Sequence, residues 1–314
     1  MEYTPIRINT VKPEKVISFD LYIFFKETYV LYLKNGLQLP KDKHKKLKKQ
    51  KFAKFFITAD DEQAYQVFLD DLLGQTLKDP NASVDEKVDV AQDAGMTAID
   101  QMQANPSSEK SYKTTQKAAQ GLIQLIQENP SALKKMFTES SDEHDQIVKH
   151  SLNVCLLSVK LAQELKIPEE EILNLTTAAL MHDIGLVQMD SEAAKLFKSP
   201  KAEFSSKDKL NYKEHIDVTI KVLSEKPYIN KQILDLITNH EENLAGTGPY
   251  KKSKLSLPEE CLSLVNCYDK KIMASKITPK QALKELMVDE VGNYQLSTLK
   301  LFKKVLLHEG LVDE

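Results

Sequence analysis

Between His150 and Asp269, five segments with helical spacing each carry an ionisable side chain on or beside an apolar stripe. Any fold of this chain must therefore bring imidazoles and carboxylates into a helical core. His150 sits in the seam Ile147, Val154, Leu157, Leu161, and His182 ends the stripe Ile172, Leu175, Ala179, with Asp183 beside it. His215 lies among Tyr212, Ile216, Thr219 and Leu223, and the pair His240-Glu241 follows Leu236 and Ile237 by one turn. The last stripe is Cys261, Leu262, Val265, Tyr268, Asp269 and Ile272. A lone histidine in such a place is usually a satisfied core residue. Several together are different, because burying each ionisable group without a partner costs several kcal/mol, and a bound metal pair compensates them at once.

The donor set is nitrogen and oxygen, with no cysteine in register, which suits iron, manganese or zinc with open coordination positions better than a closed structural zinc site. The adjacent pair His182-Asp183 is the most telling element. Its imidazole can bind one ion while its carboxylate bridges to a second, roughly 3.5–4 Å away in two-metal hydrolases.

The three cysteines, Cys155, Cys261 and Cys267, are too few and too irregularly spaced for a disulfide framework or a zinc ribbon, and read as reduced core thiols. A formal net charge of −3 gives no global field for nucleic acid or membrane, so no nucleic-acid partner is expected. No apolar run is long enough to span a bilayer and no leader pattern opens the chain, so a cytoplasmic protein is expected. With only nine glycines and no glycine-rich loop, a P-loop or dinucleotide fingerprint is excluded.

An α+β protein is expected. Residues 1–75 form a small β-rich domain with a regulatory or sensor role, 76–138 a helical connector, and 139–314 a mainly helical bundle. Val16 to Phe25 and Thr28 to Leu33 read as antiparallel strands, with Asn35-Gly36 as a turn and Phe55 to Thr58 returning to the sheet. Lys41 to Lys54 reads as a basic helix, whose lysines are either a solvated face or an anion-binding one. Helices are expected over Ala64–Leu77, Ser83–Ala104 and Glu109–Glu128, punctuated by Asp79-Pro80-Asn81, Asn105-Pro106 and Asn129-Pro130; their stripes are candidates for pairing two subunits as a homodimer. Ser140 and Glu143 can form a capping box for the helix that carries His150.

From Ser140 to Leu286 the sequence resembles the HD superfamily of metal-dependent phosphohydrolases, and more closely its HD-GYP branch. The resemblance rests on His150, His182-Asp183-Ile184-Gly185, His215, the block from His240 to Tyr250, Asp269, and Ile277 to Leu283. It implies an all-helical bundle with a binuclear or trinuclear metal centre, two divalent ions being expected here because of Gln146, iron favoured with manganese or zinc as alternatives, and hydrolysis of cyclic di-GMP. Carried over by position, it implies His150, His182, Asp183, His215, His240 and Asp269 as metal ligands, with Asp183 bridging and catalytic. Glu241 stands where the family has a second imidazole and is a further candidate ligand. Other departures touch the substrate side. Leu186 replaces the lysine of the family's HD-x-G-K motif, Pro249-Tyr250 reverses the GYP order, Ile272 replaces a second aspartate, and Gln146 replaces the glutamate of members with a third metal. Lys270, Lys271 and Lys276 are the candidates to replace lost phosphate contacts.

Two functions follow as expectations. One is a phosphodiesterase acting on a cyclic dinucleotide, with a phosphohydrolase for another nucleotide as a variant. The other is a weak or inactive metal-containing sensor or scaffold that signals to protein partners.

Overall fold

In the computed structural model, which describes residues 2–138, 146–190 and 194–313, the chain divides into two compact units, Met1–Leu125 and Ile126–Glu314. The capping box expected at Ser140 and Glu143 lies outside the described residues.

The first unit contains four antiparallel strands, β1 (Tyr3–Arg7), β2 (Leu21–Phe25), β3 (Thr28–Leu33) and β4 (Lys54–Thr58), in the order β1-β4-β2-β3. The sequence signalled the last three. β1 is the addition: Pro5 weakens a strand signal because it cannot donate to a ladder, but β1 lies at the sheet edge, where that loss is tolerated. The β2-β3 hairpin turns through Lys26 and Glu27, both with positive φ (47° and 60°), the geometry that a tight two-residue turn demands. Val16, expected inside a strand, makes only an isolated bridge to Gln38.

Helix α1 (Lys41–Lys49) follows the hairpin, and α2 (Glu62–Lys78), α3 (Val84–Ala104) and α4 (Glu109–Glu128) follow β4. Most α1 lysines face solvent, and Lys48 pairs with Asp89 at 2.9 Å. Ser83 caps α3 by accepting the Glu86 N–H, and α3 packs on β1. Ile6, Ile17, Phe19, Leu21, Leu39, Phe55 and Ile57 are fully buried in this unit. One buried ion pair joins strand to helix: Asp100 accepts from Arg7 Nε at 2.6 Å and Arg7 Nη2 at 3.1 Å, and also from Lys54 at 2.8 Å. Asp100→Asn removes the charge from a site that holds two cations. It is expected to lower this unit's stability by about 2 kcal/mol, the range of a charge-assisted hydrogen bond. Urea unfolding followed by circular dichroism measures it, and an unchanged midpoint would mean that the pair adds nothing.

The second unit is helical. It holds α5 (Ala132–Thr138), α6 (Gln146–Glu164), α7 (Glu169–Met181), α8 (Ser206–Leu223), α9 (Lys231–Asn239), α10 (Leu257–Ser275), α11 (Pro279–Asp289) and α12 (Leu296–His308). Capping boxes open α8 (Ser205, Asp208), α10 (Ser256, Glu259) and α11 (Thr278, Gln281), so three helix starts are written in the sequence. α6 is buried on nearly every side and packs against α7, α10 and α12. Cys155 and Cys261 are fully buried in this core and all three cysteines are free thiols, as their spacing implied. Among the described residues no helix is long and apolar enough to cross a membrane.

Candidate metal centre

Two helices end where the chemistry begins. α7 stops at Met181 with His182 as its C-cap, and α9 stops at Asn239 with His240 as its C-cap. The histidines themselves explain the stops. The last carbonyls of a helix have no partner within it. His182 Nδ1 donates to Ala179 O at 2.8 Å and His240 Nδ1 to Ile237 O at 2.6 Å, satisfying two of them. Within α8, His215 Nδ1 makes the same bond to Tyr212 O. These bonds fix the tautomers and leave each Nε2 with a lone pair directed inward.

The four Nε2 atoms converge on one carboxylate. Asp183 Oδ2 lies 3.5 Å from His150 Nε2 and 3.3 Å from His182 Nε2, while Oδ1 lies 3.2 Å from His215 Nε2 and 3.5 Å from His240 Nε2. Within the pairs, Nε2 to Nε2 separations are 3.3 Å (His150, His182) and 3.2 Å (His215, His240). All five residues are at most 1% exposed. Yet neither oxygen of Asp183 has a hydrogen-bond partner among the described residues. Acceptor faces acceptor across two small gaps, an arrangement that repels unless a cation sits in each. The donor set therefore fits a pair of divalent ions, one held by His150, His182 and Asp183, the other by Asp183, His215 and His240.

The electrostatics agree. Burial pushes His240 down to about 3 and His215 below the usual histidine range, so both stay neutral and able to donate a lone pair at pH 7.

The remaining sequence candidates fall elsewhere. Asp269 stands behind His150 and outside both groups: its Oδ2 accepts from His150 Nδ1 at 2.7 Å and its Oδ1 from Asn153 Nδ2 at 3.0 Å. It thereby orients the imidazole. Glu241 sits at the rim, with Oε1 3.8 Å from His240 Nε2, and is engaged by Lys201, Lys270 and Asn266. Of the three candidate lysines only Lys270 is at the site. Lys271 reaches Asp289 (3.5 Å) and Glu290 (3.3 Å), and Lys276 is the exposed left-handed C-cap of α10. Leu186 is buried against Phe197 and Tyr212, so the position of the family's lysine is part of the packing here.

Sequence reasoning missed Asn153, Asn266, Lys201 and Glu242. Asn153 follows His150 by three residues and Asn266 precedes Asp269 by three, so helical spacing could have found both. Lys201 lies on a single 3-10 turn, Lys201–Glu203, with no periodic signal. Glu242 is fully buried and holds the loop after α9: its Oε1 accepts the Tyr250 N–H at 2.6 Å, its Oε2 the Lys252 N–H at 2.7 Å. Gly248 passes so close to that carboxylate that a Cβ would lie 2.7 Å from Glu242 Cδ.

Comparison with known proteins defines the class. Residues 120–294 match the HD domain, more than half of the chain, so the protein belongs to the HD-domain family of metal-dependent phosphohydrolases. Over nearly its whole length it is also similar to a solved structure, Bd1817, a HDG"Y"P protein from Bdellovibrio bacteriovorus, with 25% identity, a TM-score of 0.75, and coverage of 97% of this chain and 99% of that one. This likeness places it in the HD-GYP branch. No curated protein matches.

Proposed function

We propose that the chain is a phosphodiesterase that opens a cyclic dinucleotide, cyclic di-GMP, at a two-metal centre bridged by Asp183. The observation that carries this reading is the division of the Asp183 carboxylate, one oxygen facing each histidine pair. Iron is favoured for the nitrogen and oxygen donor set, with manganese or zinc as alternatives. When bound, such a pair activates water at neutral pH and neutralises charge developing on the phosphoryl oxygens. The chain's own residues do the rest. His182, His215 and His240 are held in one tautomer by carbonyls, and Asp269 with Asn153 fixes His150, so the donor geometry is set before any substrate arrives. The aromatic and apolar wall of Leu186, Phe197 and Tyr212 excludes water from one side.

A second reading, a metal-containing sensor with little turnover, draws support from Leu186 being buried in packing and from Lys271 and Lys276 lying away from the cluster. An assay of metal-loaded protein with cyclic di-GMP under reducing conditions separates the two. Linear dinucleotide or GMP is the expected product. Binding of cyclic di-GMP without turnover with iron, manganese or zinc would leave the sensor, and neither binding nor turnover would remove this substrate.

A further inference from the structure

We propose that Lys201 and Lys270 form a phosphate-binding site beside the histidine cluster, occupied internally by Glu241 until a phosphoryl group of the substrate displaces it. This rests on the phosphohydrolase reading and deepens it by assigning the cations that receive the substrate's phosphate.

The two oxygens of Glu241 are divided as the proposal requires. Lys201 Nζ donates to Oε2, while Oε1 accepts from Lys270 Nζ at 3.3 Å and from Asn266 Nδ2 at 3.2 Å. Two lysine amines thus share one carboxylate. The Lys270 side chain is only 4% exposed, and a lysine is seldom taken so far from water without strong reason. Its Nζ lies 3.8 Å from the centroid of the Tyr212 ring and 5.1 Å from that of Phe197, so aromatic faces hold the cation in place without a second carboxylate. The Tyr212 hydroxyl is buried with no hydrogen-bond partner among the described residues, and can donate to an oxyanion on the same wall.

The location suits a substrate phosphate. Glu241 Oε1 is 3.8 Å from His240 Nε2, so an anion in its place abuts the candidate metal centre. A phosphoryl group carries more acceptor oxygens than a carboxylate and can serve both lysines together. Lys201, 41% exposed, is the cation on the solvent side; Lys270 is the inner one. The arrangement supplies from two other segments the charge missing at Leu186. It also distinguishes two fates for Glu241, since both of its oxygens are already engaged, Oε2 by Lys201 and Oε1 by Lys270 and Asn266.

Isothermal titration of the full chain with inorganic phosphate, with metal content measured on each sample, tests this. Glu241→Gln is expected to bind phosphate about tenfold or more tightly and to keep the wild-type metal content. Lys270→Met and Lys201→Met are each expected to bind about tenfold or more weakly, the effect of losing a charge-assisted bond, with metal retained. If Lys270→Met fails to fold, the half-exposed Lys201→Met carries the test. Phosphate affinity unchanged in the lysine variants would overturn the site, and loss of metal in Glu241→Gln would make Glu241 a ligand instead. The metal reading itself is judged separately, by the metal content of an Asp183 variant, so the two failures do not resemble each other.

Discussion

Asp183→Ala is expected to strip the protein of metal and to abolish hydrolysis. Removing a partner that merely orients a metal-binding imidazole costs about 10- to 100-fold in metal affinity. Asp183 offers one oxygen to each of two histidine pairs, so its loss affects both ions and is expected to exceed about 100-fold. Asp269→Asn provides the scale. It keeps the shape and weakens only the bond to His150 Nδ1, so its cost belongs within the smaller range and chiefly on one ion. Elemental analysis after exhaustive desalting measures both. Wild-type metal content in Asp183→Ala would sink the bridging assignment, whatever the activity. The variant is expected to remain folded, because removing the central carboxylate takes two unpaired buried acceptors out of the cluster.

Gly185→Ala is the second large effect, and it acts through the backbone. A Cβ there would lie 2.2 Å from the His215 carbonyl oxygen and 2.6 Å from Thr219 Oγ1. Both are tied into one link: the Gly185 N–H donates to Thr219 Oγ1 at 3.0 Å, and that hydroxyl donates to His215 O at 2.7 Å. No flexible side chain can yield, so the segment carrying His182-Asp183 must move away from α8 and His215. Overpacking a core costs about 1–3 kcal/mol and more when backbone blocks relaxation. A loss of about 3 kcal/mol is expected, a fall of roughly 6–12 °C in the unfolding midpoint for a unit of this size, together with weaker metal binding. Gly74→Ala, in the interior of α2 with open space where its Cβ would go, is the control and is expected to be neutral or slightly stabilising. Equal midpoints for the two variants would refute the close-approach argument.

The five buried donors of the candidate centre were legible because helical periodicity and ionisable side chains contradict each other at those positions. What periodicity could not give was where the helices stop. His182 and His240 continue the stripe of the helix before them, yet each bonds back to a carbonyl three residues earlier and closes it. Asp269 lies on the expected face, and its contact with the far nitrogen of His150 is set by side-chain reach, which spacing does not encode. Lys201 was invisible because one turn of 3-10 helix has no pattern. β1 was hidden by Pro5, whose missing donor matters in a central strand and not at an edge.

The anchoring of the loop after α9 bears on how such chains can vary. Glu242 accepts from main-chain N–H groups at 250 and 252, bonds that do not depend on which side chain stands there. It does discriminate against proline at 250, which has no N–H to offer. The order Pro249-Tyr250, which departs from the GYP signature, puts the imino acid one place earlier and leaves the amide free to donate. Read as a motif, the reversal is a defect. Read as a hydrogen-bond requirement, it is a permitted exchange that moves the tyrosine hydroxyl to Asp217, 2.5 Å away, and a search by signature alone would pass such chains over.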